Sequence, residues 1–236
     1  MFQINDLHVV MNHQTILSHI HYTQHSTGKI IGIIGPNGAG KSTLFKSMLG
    51  FIPHSGNAYF NNQPLHSNRH LCSYVPQKSS IDLTFPITVE DVILSGLYGA
   101  SNTKKTSGFD KANALIKKME LTAFRHKSLD QLSGGQLQRV LLARSLMQEK
   151  SIYLLDEPFV GIDYKSYEII RDCLFEIKRN NKLIFIIHHD LNSAHLLFDE
   201  IIMLNQTIVA YGPTQNTLTQ ENLSKTFLQA GGNADA

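Results

Sequence analysis

The chain has little cysteine. Its 236 residues include two, Cys72 and Cys173, far apart in sequence. With no CxxC pair there is no zinc-finger ligand set, and two isolated thiols fit buried side chains in a reducing compartment. It also lacks an excess of one charge: 21 Lys and Arg stand against 19 Asp and Glu, a net of +2. That balance disfavours a dedicated nucleic-acid binder, which carries a basic excess on one face, and it rules out an acidic disordered tail. No apolar run approaches the ~20 residues that a membrane helix needs. The opening "MFQINDLHVVMNHQ" lacks the basic patch and apolar stretch of a secretory signal. These absences point to a cytosolic chain whose membrane role, if it has one, comes through a partner. No internal repeat or low-complexity block is present. The apolar content, 42%, is ordinary for a globular protein with a substantial core.

Periodicity divides the chain into three parts. "FQINDLHVV" alternates apolar and polar residues, as in a half-exposed strand. "KIIGII", Lys29 to Ile34, is continuously apolar and suits a buried central strand. A helix is expected from Lys41 or Ser42 to about Leu49, then short strands near Asn57–Phe60 and Leu71–Val75. Residues 78–148 change character, with "TVEDVILSGLYG", "FDKANALIKKMEL" and "GGQLQRVLLARSLMQ" all at helical period. Strand character resumes in "SIYLLD" and "KLIFII", separated by a helical segment from Tyr164 to Arg179. Strands alternating with helices imply a parallel sheet. "IIMLNQTIVAYG" reads as a closing hairpin turned at Asn205–Gln206. The final "QAGGNADA" is small and polar, a disordered tail by composition.

"GPNGAGKST", Gly35 to Thr43, fits G-x-x-x-x-G-K-[ST] and lies between a buried strand and a helix. Its glycines let backbone N–H groups turn inward onto anionic oxygens. The helix N-terminus adds partial positive charge. Lys41 reaches the β- and γ-phosphates and the Ser42 hydroxyl ligates Mg²⁺. A flexible glycine turn is the bland alternative, and the strand–loop–helix context argues against it. In "IYLLDEPFVGID", Asp156 ends an apolar strand where it can hold Mg²⁺ or its waters. Glu157, one residue on, can polarise a water for attack on the γ-phosphorus. "LSGGQLQR" places Ser133 and two glycines before a strongly helical segment, a second anion-binding helix start or a plain N-cap. One phosphate cannot sit at two distant helix starts of one monomer. Two copies, head to tail, would resolve this.

Taken together, "GPNGAGKST", Gln77, "LSGGQLQR" and "LLDEP" resemble the ATP-binding cassette family over nearly the whole chain. The resemblance implies an α/β fold with a P-loop NTPase core and a mostly parallel sheet. To this it adds an N-terminal antiparallel β portion and an inserted α-helical subdomain. A single domain would then comprise a nucleotide-binding core, 1–77 with 149–228, a helical insert, 78–148, and the tail, 229–236. It implies ATP and Mg²⁺ as ligands. Gly35, Pro36, Asn37, Gly38, Ala39, Gly40, Lys41, Ser42 and Thr43 would cradle the phosphates. Ser133, Gly134, Gly135 and Gln136 of a second copy would close the composite site. Gln77 matches the glutamine that contacts Mg²⁺ and water, alongside Ser42 and Asp156. Asp163, in "FVGID" rather than the commoner "SALD", matches the position that crosses between monomers. His189 matches the histidine that contacts the γ-phosphate. The adenine-stacking place, usually aromatic, falls on Met11, whose thioether stacks less rigidly.

The implied partners are a second ATPase subunit, two integral membrane permease subunits and an extracytoplasmic metal-binding protein, with no nucleic acid. The implied location is peripheral, on the inner face of the membrane. "YVPQ…ID…FPITVEDVILSGLYG" with "DEPFVGID" most resembles the ATPases of manganese, zinc or iron importers, with siderophore, haem or cobalamin importers the alternative. Phe85, Pro86 and Ile87 form a candidate knob for a membrane-subunit helix, or else ordinary core of the insert. Two single-chain alternatives are disfavoured. Soluble cassette proteins acting on DNA or ribosomes usually carry two cassettes, and exporters are often fused to membrane helices.

The histidines invite a metal reading. "LIFIIHHDL" could be a metal set, one working histidine with a bystander, or surface histidines at a strand end. The resemblance assigns His189 to phosphate, expects Asp190 to cap the following helix and leaves His188 unassigned, with a mild effect on removal. Among His8, His13, His19, His21 and His25, the pair His19 and His21 shares a face if extended, but no carboxylate or thiol evidently completes a site. Surface histidines are the default.

Overall fold

The computed structural model describes residues 1–98 and 108–228. The tail 229–236 lies outside the described residues. Among the described residues, ten strands form two sheets. The first is antiparallel, in the order β2-β1-β4-β5. It is built from β1 (Phe2–Met11), β2 (Gln14–Gln24), β4 (Ser55–Phe60) and β5 (Gln63–Pro64). The turn between β1 and β2 places Asn12 and His13 at φ 49° and 62°, the left-handed pair that suits a two-residue hairpin. β4 starts at Ser55, two residues before the sequence expectation, because Ser55 pairs with His8 on β1.

The second sheet has the order β10-β9-β3-β8-β7-β6. β3 (Lys29–Ile34), β6 (Cys72–Val75), β7 (Ile152–Asp156), β8 (Leu183–Ile187) and β9 (Glu200–Asn205) run parallel, as the alternation of strand and helix implied. β10 (Thr207–Pro213) closes one edge antiparallel to β9, and Gln206 in the turn takes φ 58°.

The side-chain period of two explains why the central strands read as unbroken apolar runs. Ile30, Tyr153, Leu155, Ile184 and Ile186 face one core. Ile31, Ile33, Ile152, Leu154, Leu183, Phe185 and Ile187 face the other. Each such fully buried side chain contributes about 1.5–3 kcal/mol. On the second face Phe185 meets Phe2 at 4.8 Å between ring centres, which fastens the antiparallel sheet to the parallel one.

The helices are α1 (Lys41–Met48), α2 (Val89–Ser95), α3 (Gly108–Lys118), α4 (Gly134–Ser145), α5 (Tyr164–Arg179), α6 (Ala194–Leu197), α7 (Thr214–Thr217) and α8 (Gln220–Phe227). Among the described residues of 78–148 there is no strand, only these helices, short 3₁₀ turns and one isolated bridge between Thr88 and Ser128. Their apolar faces do not form a separate core. Val92, Leu115, Ile116, Val140 and Leu141 join one continuous cluster with Val75, Leu155 and Ile184 of the sheet.

Candidate nucleotide-binding site

Strand register brings distant residues to one edge. Ile33 pairs with Ile187, and Ile187 with Asp156. The chain therefore leaves β3, β8 and β7 side by side at their C-terminal ends, where open α/β sheets place ligands. The loop from Gly35, the Asp156–Glu157 pair and the His188–His189 pair emerge there together. On the outer side Val75 pairs with Leu155. Continuing that register sets Gln77 beside Glu157, and Gln77 Nε2 donates to Glu157 Oε2 at 2.6 Å.

The loop from Gly35 to Gly40 is held from below. A Cβ at Gly35 would lie 1.9 Å from the Leu204 carbonyl oxygen, so the loop passes close over β9. Gly40 has φ 92° and immediately precedes α1, a conformation that disfavours any other residue. Ala39 accepts from the Gln206 N–H at 3.1 Å. Pro36 is half-buried, Asn37 and Gly38 are exposed, and a Cβ at Gly38 would meet nothing within 4 Å. The upper side of the loop is therefore open at a helix N-terminus, a place suited to an anion.

Lys41 is buried and donates from Nζ to the carbonyls of Gly35 and Pro36, at 2.9 and 2.8 Å. Burial lowers its pKa, with Glu157 and Asp156 opposing. Ser42 and Thr43 follow on the first turn, both half-buried.

Asp156 is 3% exposed. Its Oδ2 accepts from the Tyr74 hydroxyl at 3.4 Å, while Oδ1 has no hydrogen-bond partner. Burial raises its pKa, and the nearby Ser42 hydroxyl and Tyr74 phenol oppose that shift. A buried carboxylate oxygen without a partner is costly, and a cation at that oxygen removes the cost. The neighbouring donors are oxygens, as a hard divalent ion prefers. The residues therefore fit Mg²⁺.

Glu157 sits at φ 53°, an unusual conformation for a residue with a Cβ and a form of strain that collects at functional sites. His189 Nδ1 lies 3.8 Å from Glu157 Oε1, with the imidazole side chain 54% exposed. Gln77, Glu157 and His189 thus converge at one place.

The other sequence-derived residues lie elsewhere. Ser133 N-caps α4 and makes a full capping box with Gln136, at 2.9 and 3.3 Å. Gly135 is packed so tightly that a Cβ would fall 2.4 Å from Ser166 Oγ. Asp163 caps α5, its two oxygens taken by the Ser166 N–H and hydroxyl at 2.9 and 2.8 Å. Met11, 44% exposed, ends β1 at the hairpin tip. Among the described residues, no hydrogen bond or ion pair joins Met11 or Ser133–Gln136 to the loop 35–43.

One expectation is corrected here. Asp190 is not the cap of the next helix. Its carboxylate accepts from the Asn192 N–H at 3.0 Å in a turn of its own, and α6 begins after Ser193. His188, left unassigned by the sequence, is buried, 5% exposed. A period of two from buried Ile186 turns it inward rather than into solvent.

Sequence reading also missed Tyr74 and Lys78. Lys78 Nζ donates to the carbonyls of Val160 and Gly161 at 2.9 and 3.1 Å. The partners lie 82 and 83 positions apart in sequence, and no local pattern announces the contact. At the N-terminus a carboxylate does meet the histidines. Asp6 Oδ1 lies 2.6 Å from His19 Nδ1 and 3.4 Å from His21 Nε2. Even so, no group of three among the described residues is arranged to hold a metal ion.

The ABC transporter family matches residues 19–160. The chain is 46% identical over 204 residues to the manganese transport system ATP-binding protein MntB of Listeria innocua, covering 85% of each. It is 41% identical over 230 residues to a probable metal transport system ATP-binding protein of Chlamydia trachomatis, covering 96% of this chain and 88% of that one. A solved ATP-binding subunit of an ABC transporter has the same fold, with a TM-score of 0.80 at 23% identity and coverage of 98% and 97%. Among the described residues no helix is long and apolar enough to cross a membrane. The chain belongs to the ABC transporter family, as one of its ATP-binding proteins.

Proposed function

We propose that the chain hydrolyses Mg²⁺·ATP and, as a homodimer on two integral membrane permease subunits, powers import of a transition-metal ion, manganese first. The single observation that carries the catalytic part is the 2.6 Å bond between Gln77 and Glu157 beside the orphaned Asp156 oxygen. It sets a carboxylate base, a polar orienting group and a cation site at one sheet edge.

The residues act as follows. Gly35–Thr43 hold the phosphates through backbone N–H groups and the α1 dipole. Lys41 exchanges its two loop carbonyls for phosphate oxygens. Asp156, Ser42 and Gln77 would hold Mg²⁺, which supplies charge neutralisation at the β- and γ-phosphates. Glu157 accepts a proton from the attacking water, and the strained backbone aims its carboxylate. His189 donates toward the γ-phosphate from the far side of Glu157. Ser133, Gly134, Gly135 and Gln136 of a second copy complete the site, a reading supported by the absence, among the described residues, of any hydrogen bond or ion pair from them to the loop 35–43 within one copy. Met11 offers a thioether to the adenine.

The cargo follows from the named relatives, which are manganese and metal transport proteins. An extracytoplasmic metal-binding protein would deliver the ion, and the transported ion would not touch this subunit. Phe85, 64% exposed ahead of α2, supports the docking of a permease helix on the insert 78–148, while Ile87 packs partly into the core. Such docking places the chain peripherally on the cytoplasmic face.

The test is phosphate release from Mg²⁺·ATP. Glu157→Gln should lose roughly 10²–10⁴-fold in kcat, the usual worth of a general base, and still bind ATP. Wild-type turnover in that variant would overturn the assignment of the base.

A further inference from the structure

His188 is a buried histidine that the proposed mechanism does not use. Its backbone N–H donates to the Ile33 carbonyl at 3.1 Å, which ties it to the strand that runs into the phosphate loop. Its ring sits edge-on between Phe159, two residues past Glu157, at 5.8 Å, and Phe198 at 5.5 Å. It lies roughly parallel to the His189 ring, with centres 6.0 Å apart. Nε2 is 2.8 Å from Ser193 Oγ, and the Ser193 hydroxyl donates to the Asp190 carbonyl at 3.3 Å. Nε2 is therefore hydrogen-bonded to the turn that follows His189. Nδ1 is buried and has no partner.

A polar ring inserted between two aromatic side chains, with one nitrogen unsatisfied, costs stability. A phenyl group would fill the space at less cost. The remaining nitrogen, Nε2, is spent on the turn that follows His189. From these contacts we propose that His188 is a positioning residue for hydrolysis. Through Ser193 it fixes the 189–193 turn, and through Phe159 it locks that turn to the segment carrying Glu157, so that His189 is held against the γ-phosphate.

Burial pushes the His188 pKa down to about 4, so the ring stays neutral and its bond to Ser193 persists across the physiological range. Asp190 faces it from the turn and His189 from the neighbouring position, and both enter that balance. The inference rests on the role proposed for His189, and the experiment separates the two.

Steady-state ATPase is measured on the full chain for His188→Phe, His188→Gln, Ser193→Ala and His189→Ala. Phe keeps the packing and removes the bond to Ser193. It should lower kcat roughly ten- to hundredfold, the scale of a misplaced catalytic group, with the KM for ATP unchanged. Its melting temperature should fall by no more than about 4 °C, the equivalent of one lost hydrogen bond. Gln places an amide where Nε2 was and should recover most of kcat. Ser193→Ala should match Phe, and the double variant should be no worse than either alone. If His189→Ala is inactive while His188→Phe turns over like wild type, the positioning role is wrong and the His189 role stands. If His189→Ala itself turns over like wild type, both are wrong. A variant set in which kcat follows melting temperature alone, with no recovery by Gln, also overturns the proposal.

Discussion

Asp156 is where function and stability pull hardest against each other. Its Oδ1 is buried without a partner and its pKa is raised by burial. Asp156→Asn removes the buried charge, keeps the shape and retains an acceptor for Tyr74. A neutral amide atom left without a partner still costs something, but an ionised one costs more. The difference is on the order of 1–2 kcal/mol. For a domain of this size that corresponds to roughly 2–8 °C in melting temperature.

The sign with pH follows from the raised value. Between the unfolded pKa, about 3.9, and the higher folded one, the native state binds more protons than the unfolded state. Wild-type stability therefore falls as pH rises through that window. The advantage of Asn should be small at pH 4 and complete at neutral pH. With Mg²⁺·ATP the order reverses. Wild type gains about 2.7 kcal/mol at a hundredfold excess over Kd, and the Asn variant should gain much less. Thermal unfolding by scanning fluorimetry, with and without EDTA, reads both effects. An Asn variant no more stable than wild type without nucleotide, yet equally stabilised by Mg²⁺·ATP, would refute the reasoning.

Other outcomes follow from the same geometry. Gly35→Ala should abolish ATP binding and lower stability by at least the 1–3 kcal/mol of an overpacked site, because its Cβ would fall 1.9 Å from the Leu204 carbonyl; near-native affinity by titration calorimetry would contradict the tight passage over β9. Met11→Tyr should tighten ATP binding by adding a stacking face, and an unchanged or weaker Kd would count against Met11 as the adenine contact. Phe85→Ala should leave the ATPase of the isolated chain intact and uncouple manganese uptake in cells; full uptake would remove the docking role. Charge reversal at Asp91 is a less selective probe than Phe85→Ala, because Asp91 accepts from the Thr88 hydroxyl at 2.5 Å in the cap of α2.

Where the chemistry depends on contiguous residues, the sequence announced it. Gly35–Thr43 and Asp156–Glu157 appear as short patterns beside unbroken apolar strands, and strand register then brings them together without further instruction. The hairpin at Asn205–Gln206 and the bounds of α5 were also legible, because turn chemistry and helical period are local. What local pattern cannot show is which side chain meets which across the fold. The bonds from Gln77 to Glu157, from Lys78 to the Val160 carbonyl and from Tyr74 to Asp156 each join residues about eighty positions apart. His188 stayed unassigned for a related reason. A histidine at a strand end can face solvent or core, and only the packing of Phe159 and Phe198 shows that it lies inside. Asp190 was misplaced because the helix expected right after it starts four residues later, at Ala194. The N-terminal histidines met an unexpected carboxylate because a bulged register, with His19 at φ 49°, swings them onto Asp6.

The central claim is that the site in one chain is half of a site. Among the described residues, no hydrogen bond or ion pair joins Ser133–Gln136 to the loop 35–43 within one copy, and the proposed site has them close that loop from a second copy. The most direct test is the mass in solution, by light scattering, of Glu157→Gln loaded with Mg²⁺·ATP, beside the same protein carrying Ser133→Glu. The account predicts a species of twice the mass of one chain when ATP is present, reverting to a single chain without ATP or with Ser133→Glu. A protein that stays at the mass of one chain throughout while binding ATP fully, or a dimer indifferent to both ATP and Ser133, would contradict it.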